Sequence, residues 1–190
     1  MHSALKALNR LVQDGVIRNY AIGGAIGASF YLPAMQTEDI DVFVFLPERS
    51  SLLVSLEEVY ASLRALGGTV EREYVRFDEW PVQILTDATP LIAEAIREAI
   101  DVDFEGIPAR VFRPEHLCAI ALETGRAKDY ARVSMFLEQN EVDRMLLSAV
   151  AARYDLTEGL ARVVGPESRS GREAEGKGGA DSDEPDWHEY

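Results

Sequence analysis

A chain of 190 residues with 47% hydrophobic content has room for one ordinary domain with a real core and a small helical appendage. No apolar run reaches the ~20 residues that a membrane-spanning helix needs, nothing at the N-terminus reads as a signal peptide, and the single Cys118 excludes an internal disulfide, so a cytoplasmic location without membrane contact is expected. The net charge of −14 argues against bulk nucleic acid as a partner, because such binding needs Lys and Arg to displace counterions, and ordinary solubility is the plain reading of the acidity.

The predicted elements follow in chain order. Leu5, Leu8, Leu11 and Val12 recur at helical spacing and predict a helix over 3–14. A short strand is expected at 19–23, then a small-residue helix at 25–31 that stops before Pro33. Residues 40–45, IDVFVF, are apolar on both sides and read as a central strand. Residues 51–66 form an amphipathic helix ended by Gly67-Gly68. Thr69 to Phe77 reads as one strand and Val82 to Leu85 as another, with a helix at 90–99 opened by Pro90. Residues 102–112 read as a β-hairpin turning at Gly106, with Pro108 near an edge. Helices follow at roughly 114–124, 127–139 and 141–154, the last capped by Asn140, with Glu141 and Asp143 in its first turn. Residues 165–190 hold eight acidic and three basic residues and almost no apolar content before Trp187, which predicts a disordered acidic tail. Trp187 and Tyr190 leave open a docking motif beside a passive tail.

The chemistry-bearing stretch is 20–45, YAIGGAIGASFYLPAMQTEDIDVFVF. Asp39 and Asp41, two apart on a strand, point to the same face. Beside Phe and Val such like charges repel unless a cation lies between them. The helix after Gly24 offers free backbone N–H groups and a positive dipole end, which suits a phosphate. Together these predict metal-assisted chemistry on a nucleotide. Three plainer readings stay open at this point: an unliganded turn at Gly23-Gly24, a solvated strand start at Asp39 and Asp41, and a loose dinucleotide fingerprint made of Gly23, Gly24 and Gly27. His2, His116 and His188 have no metal-ligand spacing, and His116 is expected at the surface or in a lid. Cys118 reads as a buried structural thiol. With no GxSxG, Walker motif or Cys/His cluster, no covalent nucleophile is expected.

The pieces Ile22-Gly23-Gly24 and Asp39-Ile40-Asp41, about fifteen residues apart on strand–helix–strand, resemble the nucleotidyltransferase superfamily. That is the polymerase-beta-like fold of minimal nucleotidyltransferases and of AbiEii-type toxin–antitoxin relatives. A second segment, ETGRAKDYARV at 123–133, resembles the GRxKD helix entry of several such families. The resemblance covers roughly residues 18–135. It implies an α/β (α+β) fold with a mixed sheet flanked by helices and followed by a C-terminal helical part: a core over 1–112, a helical subdomain over 113–164 and the tail over 165–190.

The same resemblance implies that Asp39 and Asp41 hold one or two Mg²⁺ ions bridging the phosphates of a nucleoside triphosphate. Gly23 and Gly24 bring the backbone close to the triphosphate. Lys128 and Arg126 offset phosphate charge or pair with neighbouring acids, Asp129 orients Lys128, acts as a base or caps its helix, and Ser29 faces either the nucleotide or the core. The superfamily usually adds a third carboxylate from a later strand, and here Gln83 falls at the corresponding place. Glutamine cannot take a proton from an attacking hydroxyl. Asp78 or Asp87 takes that role, or the site works with two carboxylates, or it is impaired; a plain edge-strand surface position for Gln83 is equally open. The expected function is transfer of a nucleoside monophosphate from an NTP to a hydroxyl on a small molecule, an RNA end or a protein. The alternative is a catalytically degenerate antitoxin-like module that binds a protein partner.

Overall fold

The structure, a computed structural model, describes residues 1–33, 37, 39–47 and 52–165, with backbone alone for 52–55. The acidic tail, with Trp187, His188 and Tyr190, lies outside the described residues apart from Gly165.

The elements run α1 (His2–Gln13), β1 (Asn19–Ile22), α2 (Gly24–Ala28), β2 (Ile40–Phe45), α3 (Leu52–Ala65), β3 (Thr69–Glu71), β4 (Tyr74–Phe77), β5 (Trp80–Thr86) and α4 (Pro90–Arg97). They continue with β6 (Ile100–Phe104), β7 (Ile107–Val111), α5 (Pro114–Thr124), α6 (Ala127–Glu138), α7 (Arg144–Arg153) and α8 (Thr157–Val164). One mixed seven-stranded sheet has the order β3-β4-β5-β2-β1-β7-β6. β2 pairs antiparallel with β1 and parallel with β5, so the expected central strand is central.

Period-2 alternation splits β2 between two cores. Ile40, Val42 and Val44 enter one with Leu5, Leu8 and Leu11 of α1 and Val59 and Leu63 of α3. Phe43 enters the other with Phe112, Cys118, Phe136 and Leu147, so the C-terminal helices pack onto the sheet through a shared apolar cluster. Cys118 is fully buried, and burial pushes its thiol well above the ordinary range. No helix among the described residues is long and apolar enough to cross a membrane.

Several expected elements are redrawn. The strand over 69–77 is a hairpin, because Arg72 takes φ 59° and the two-residue turn at Arg72 and Glu73 sets Glu71 opposite Tyr74. Asn140 does not cap α7. It takes φ 56° after the C-cap of α6, and the Glu141 N–H donates to the Phe136 carbonyl (3.1 Å), which closes a Schellman turn. Asp143 is the cap instead, accepting from the N–H groups of Met145 and Leu146 (2.8 and 3.1 Å). Asp155 (φ 58°) turns the chain in the same way into the additional helix α8. His116 is neither a surface nor a lid residue: it is 2% exposed, against Glu94 of α4.

Candidate active site

β2 carries Asp41 on the same face as Phe43, and Asp39 stands just before the strand, where the Thr37 hydroxyl donates to its carbonyl (3.2 Å). The strand–helix turn is tied to it: the Gly23 N–H donates to the Asp41 carbonyl (2.9 Å). Gly24 takes φ +58°, and a Cβ there would lie 1.9 Å from Asp41 Oδ2. A Cβ on Gly23 would lie 2.6 Å from the Phe43 ring. Position 24 therefore requires glycine if the carboxylate is to lie on the bend, and position 23 if the Phe43 and Phe112 rings are to pack there. Burial, then the charge of Asp39, pushes the Asp41 carboxyl up; Arg132, Arg126 and Lys128 oppose that rise. No hydrogen-bond donor serves this carboxylate among the described residues.

The register puts Gln83 of β5 directly beside Asp41, and Tyr74 of β4 beside Gln83. Gln83 thus stands in the interior of the sheet, not at an edge. Partial burial, followed by the charges of Asp39, Glu73 and Asp41, pushes the Tyr74 hydroxyl up. Asp78 turns toward α1, where the Ser3 hydroxyl donates to it (2.8 Å), and Asp87 lies past the opposite end of β5. Among the described residues no group of three or more His, Cys, Asp or Glu side chains is arranged for a metal. Two hard carboxylates do fit Mg²⁺, which commonly keeps one or two protein carboxylates and completes its shell with water and phosphate oxygens.

Facing Asp41 across a cavity of about 190 Å³ is the start of α6. Gly125, at φ +70°, ends α5 in the left-handed region and α6 begins two residues later. Arg126, Asp129 and Arg132, three apart and hence on one helical face, line the cavity with Gly24 and Asp41. Asp129 is 1% exposed. The Arg126 Nε donates to its Oδ2 (2.6 Å), and Arg132 Nη1 lies 3.6 Å from Oδ1. So Asp129 gathers the two arginines; it does not pair with Lys128, and α6 has no side-chain cap bond. Lys128 is exposed and off the cavity wall, though its charge reaches Asp41. Ser29 is elsewhere: its hydroxyl donates to the Ile26 carbonyl (2.7 Å), and it lines a separate cavity of about 740 Å³ with Phe30, Trp80 and Phe104. Arg132 went unnoticed in the sequence, although its three-residue spacing from Asp129 was the available signal.

No family model and no curated protein matches the chain. Solved structures do. An antigenic nucleotidyltransferase-like protein from Paracoccidioides brasiliensis aligns at a TM-score of 0.53 and 16% identity over 83% of this chain and 90% of its own. The solution structure of the antibiotic-resistance factor ANT(2'')-Ia aligns at 0.50 and 17% identity, over 85% and 97%. The crystal structure of ANT(2'')-Ia in complex with adenylyl-2''-tobramycin aligns at 0.48 and 17%, over 80% and 97%. With its mixed seven-stranded sheet and flanking helices, the chain has the nucleotidyltransferase-superfamily fold.

Proposed function

We propose that this chain transfers a nucleoside monophosphate from an NTP to a hydroxyl acceptor in the cytoplasm and releases pyrophosphate. One observation carries the reading: the half-buried Asp41 carboxylate rests on the Gly24 bend, two residues from Asp39, across a cavity from Arg126 and Arg132. Among the described residues Asp41 has no hydrogen-bond donor, and the like charge that acts on it is Asp39. A bound cation removes that conflict.

Asp39 and Asp41 would hold one or two Mg²⁺ ions, which supply positive charge to the attacking and leaving oxygens of an in-line displacement. Gly24 leaves room for the Asp41 carboxylate at the cavity and Gly23 for the Phe43 and Phe112 rings, so neither glycine opens backbone to the triphosphate as expected. Arg126, with Lys128 at longer range, offsets the triphosphate charge. The acceptor oxygen bonds to the α-phosphorus as the bond to pyrophosphate breaks. A small-molecule hydroxyl, an RNA end and a protein side chain all suit this chemistry, while the charge of −14 disfavours long RNA.

A second reading, a non-catalytic partner-binding module of antitoxin type, is favoured by Gln83, which stands beside Asp41 where a third carboxylate is usual. The experiment incubates the protein with Mg²⁺ and α-labelled NTPs, alongside Asp39→Ala and Asp41→Ala. Mg²⁺-dependent NTP binding and label transfer are expected for the wild type and lost in both variants. Unchanged NTP binding in both variants defeats the metal assignment. A stoichiometric protein complex that forms without turnover and survives Asp39→Ala supports the second reading.

A further inference from the structure

Resting on the nucleotide reading above, we propose that Arg132 contacts the phosphates of the bound nucleotide and that the buried Asp129 is the positioning residue holding Arg132 and Arg126 on the cavity wall. The starting point is a charge imbalance. Asp129 is 1% exposed, and a buried carboxylate has to be paired. It is paired twice, by Arg126 at 2.6 Å and by Arg132 at 3.6 Å, so one positive charge is in excess. That excess is not spent on a hydrogen bond to Asp41.

Arg132 is where it is available. The Arg126 side chain is 60% exposed and its Nε is already given to Asp129. Lys128 is off the wall. The Arg132 side chain is only 16% exposed, and among the described residues no acceptor is hydrogen-bonded to its guanidinium, the Nε included. A guanidinium with no hydrogen-bonded acceptor is costly to enclose, and an anionic oxygen in the cavity can take the outer donors of the Arg132 fork, Nε itself being sealed off. The other wall decides which anion. Asp41 faces the same space, so a bare carboxylate ligand gains at Arg132 and loses at Asp41. A polyphosphate that brings a divalent cation presents opposite charges to the two walls, and this pairing fits both.

Asp129 has a part that does not require touching the ligand. It fixes two flexible guanidinium groups before the ligand arrives, which lowers the ordering cost of binding. It is not a base toward the acceptor, because Arg126 holds it in a short ion pair.

The test titrates inorganic triphosphate with Mg²⁺ into the full chain by calorimetry, with Arg132→Gln, Arg132→Lys and Asp41→Ala in parallel. The wild type binds. Arg132→Gln binds roughly tenfold to a hundredfold more weakly, the loss of one charge-assisted hydrogen bond, and Arg132→Lys falls in between because it keeps the charge but not the planar fork of donors. In steady-state kinetics Asp129→Asn raises KM for the NTP about tenfold while kcat changes less than about threefold, a split that a general loss of folded protein does not produce. Wild-type affinity in Arg132→Gln, with binding still lost in Asp41→Ala, overturns the proposal and leaves the nucleotide reading standing. No binding of triphosphate or NTP by the wild type overturns both.

Discussion

Two ionic clusters join the helices to the rest of the molecule, and they differ in how well their polar atoms are matched. At the first, Glu94 of α4 accepts from Tyr154 (2.6 Å), from His116 of α5 (3.1 Å) and from Arg153 of α7. Glu94 can only accept, so His116 Nε2 donates, while the buried Nδ1 has no partner among the described residues. At the second, among the described residues, Asp41 has a like charge beside it and no donor, and Arg132 Nε has no acceptor. The titrations move in opposite senses. Burial alone raises the Glu94 carboxyl, but its three hydrogen bonds override that and hold it down at about 2. Burial and Asp39 push Asp41 up. A matched cluster lowers the energy of the empty fold, and an unmatched one raises it until a ligand arrives.

The largest expected effect tests the unmatched side. On the proposed function, Asp41→Asn lowers nucleotidyl transfer by about a thousandfold, because the bound metal would lose a charged ligand. The same change stabilises the empty protein. The raised carboxyl makes ionised Asp41 a penalty that sets in as pH rises above the ordinary value of 3.8, and asparagine carries no such charge. A Tm higher by about 2–4 °C at neutral pH corresponds to roughly 1 kcal/mol in a chain of this size. An unchanged or lower Tm removes the claim that this carboxylate is unmatched.

Glu94→Ala is the counterpart, and it costs stability alone. Removing the common acceptor leaves the buried His116 Nε2 without its partner and Tyr154 with only its longer bond to the Pro90 carbonyl (3.3 Å), for about 3 kcal/mol and a Tm lower by about 6–12 °C. Glu94 is depressed in the fold, so its stabilisation is complete above pH 4.5 and is lost as pH falls toward about 2. Acid titrations of stability thus diverge: the Glu94 variant loses part of the acid sensitivity that the wild type shows, while Asp41→Asn gains its advantage only toward neutral pH. Mg²⁺-dependent triphosphate binding by Glu94→Ala at low temperature remains within about twofold of wild type, and a large loss there refutes the separation of the clusters.

Two smaller changes act on the bend and on the sheet. Gly24→Ala places a methyl 1.9 Å from Asp41 Oδ2 at φ +58°. It costs about 2 kcal/mol in backbone strain and displaces the carboxylate, so calorimetry shows weaker Mg²⁺–triphosphate binding together with a lower Tm. Gln83→Glu, beside Asp41, adds the carboxylate that the two-acid site lacks. Turnover rises about tenfold at limiting Mg²⁺ if that site is catalytic, while the metal-free protein melts slightly lower from the added repulsion. No turnover in either form, with a partner complex intact, favours the binding-module reading.

What the sequence exposes here follows from the range of the interaction. The strand carrying Asp39 and Asp41 was legible because acids interrupting IDVFVF leave a period-2 pattern, and the bend because Gly23 and Gly24 sit where chain direction changes. The Gln83 register was within reach because VQIL is itself apolar beside a central strand. Arg132 and Asp129 join the site only because α6 folds back over the sheet on α5, and no local rule reports that packing. Arg72 and Glu73 turn β3 into β4 without Gly, Asn or Asp, so the hairpin has no turn signal. The Asn140 reading failed for a different reason: Asn suits both a helix start and a left-handed helix end, and the Glu141 N–H to Phe136 bond selects the second use.

The smallest effect expected belongs to that last pair and probes the matched side from its far end. Asp143 caps α7, and its own N–H donates to the buried Glu115 (2.8 Å), while Arg153 and Tyr154 stand at the other end of the helix against Glu94. Asp143→Ala removes the side-chain cap but keeps the backbone bond, so it costs about 1 kcal/mol and about 2–4 °C in Tm. Asn140→Gly, at φ 56°, leaves Tm nearly unchanged because glycine accepts that conformation at least as well. If α7 transmits the loss to its far end, Asp143→Ala and Glu94→Ala combine to less than the sum of their separate costs, since a frayed helix has already loosened the contacts to Glu94. Simple additivity shows instead that each end of α7 is held independently.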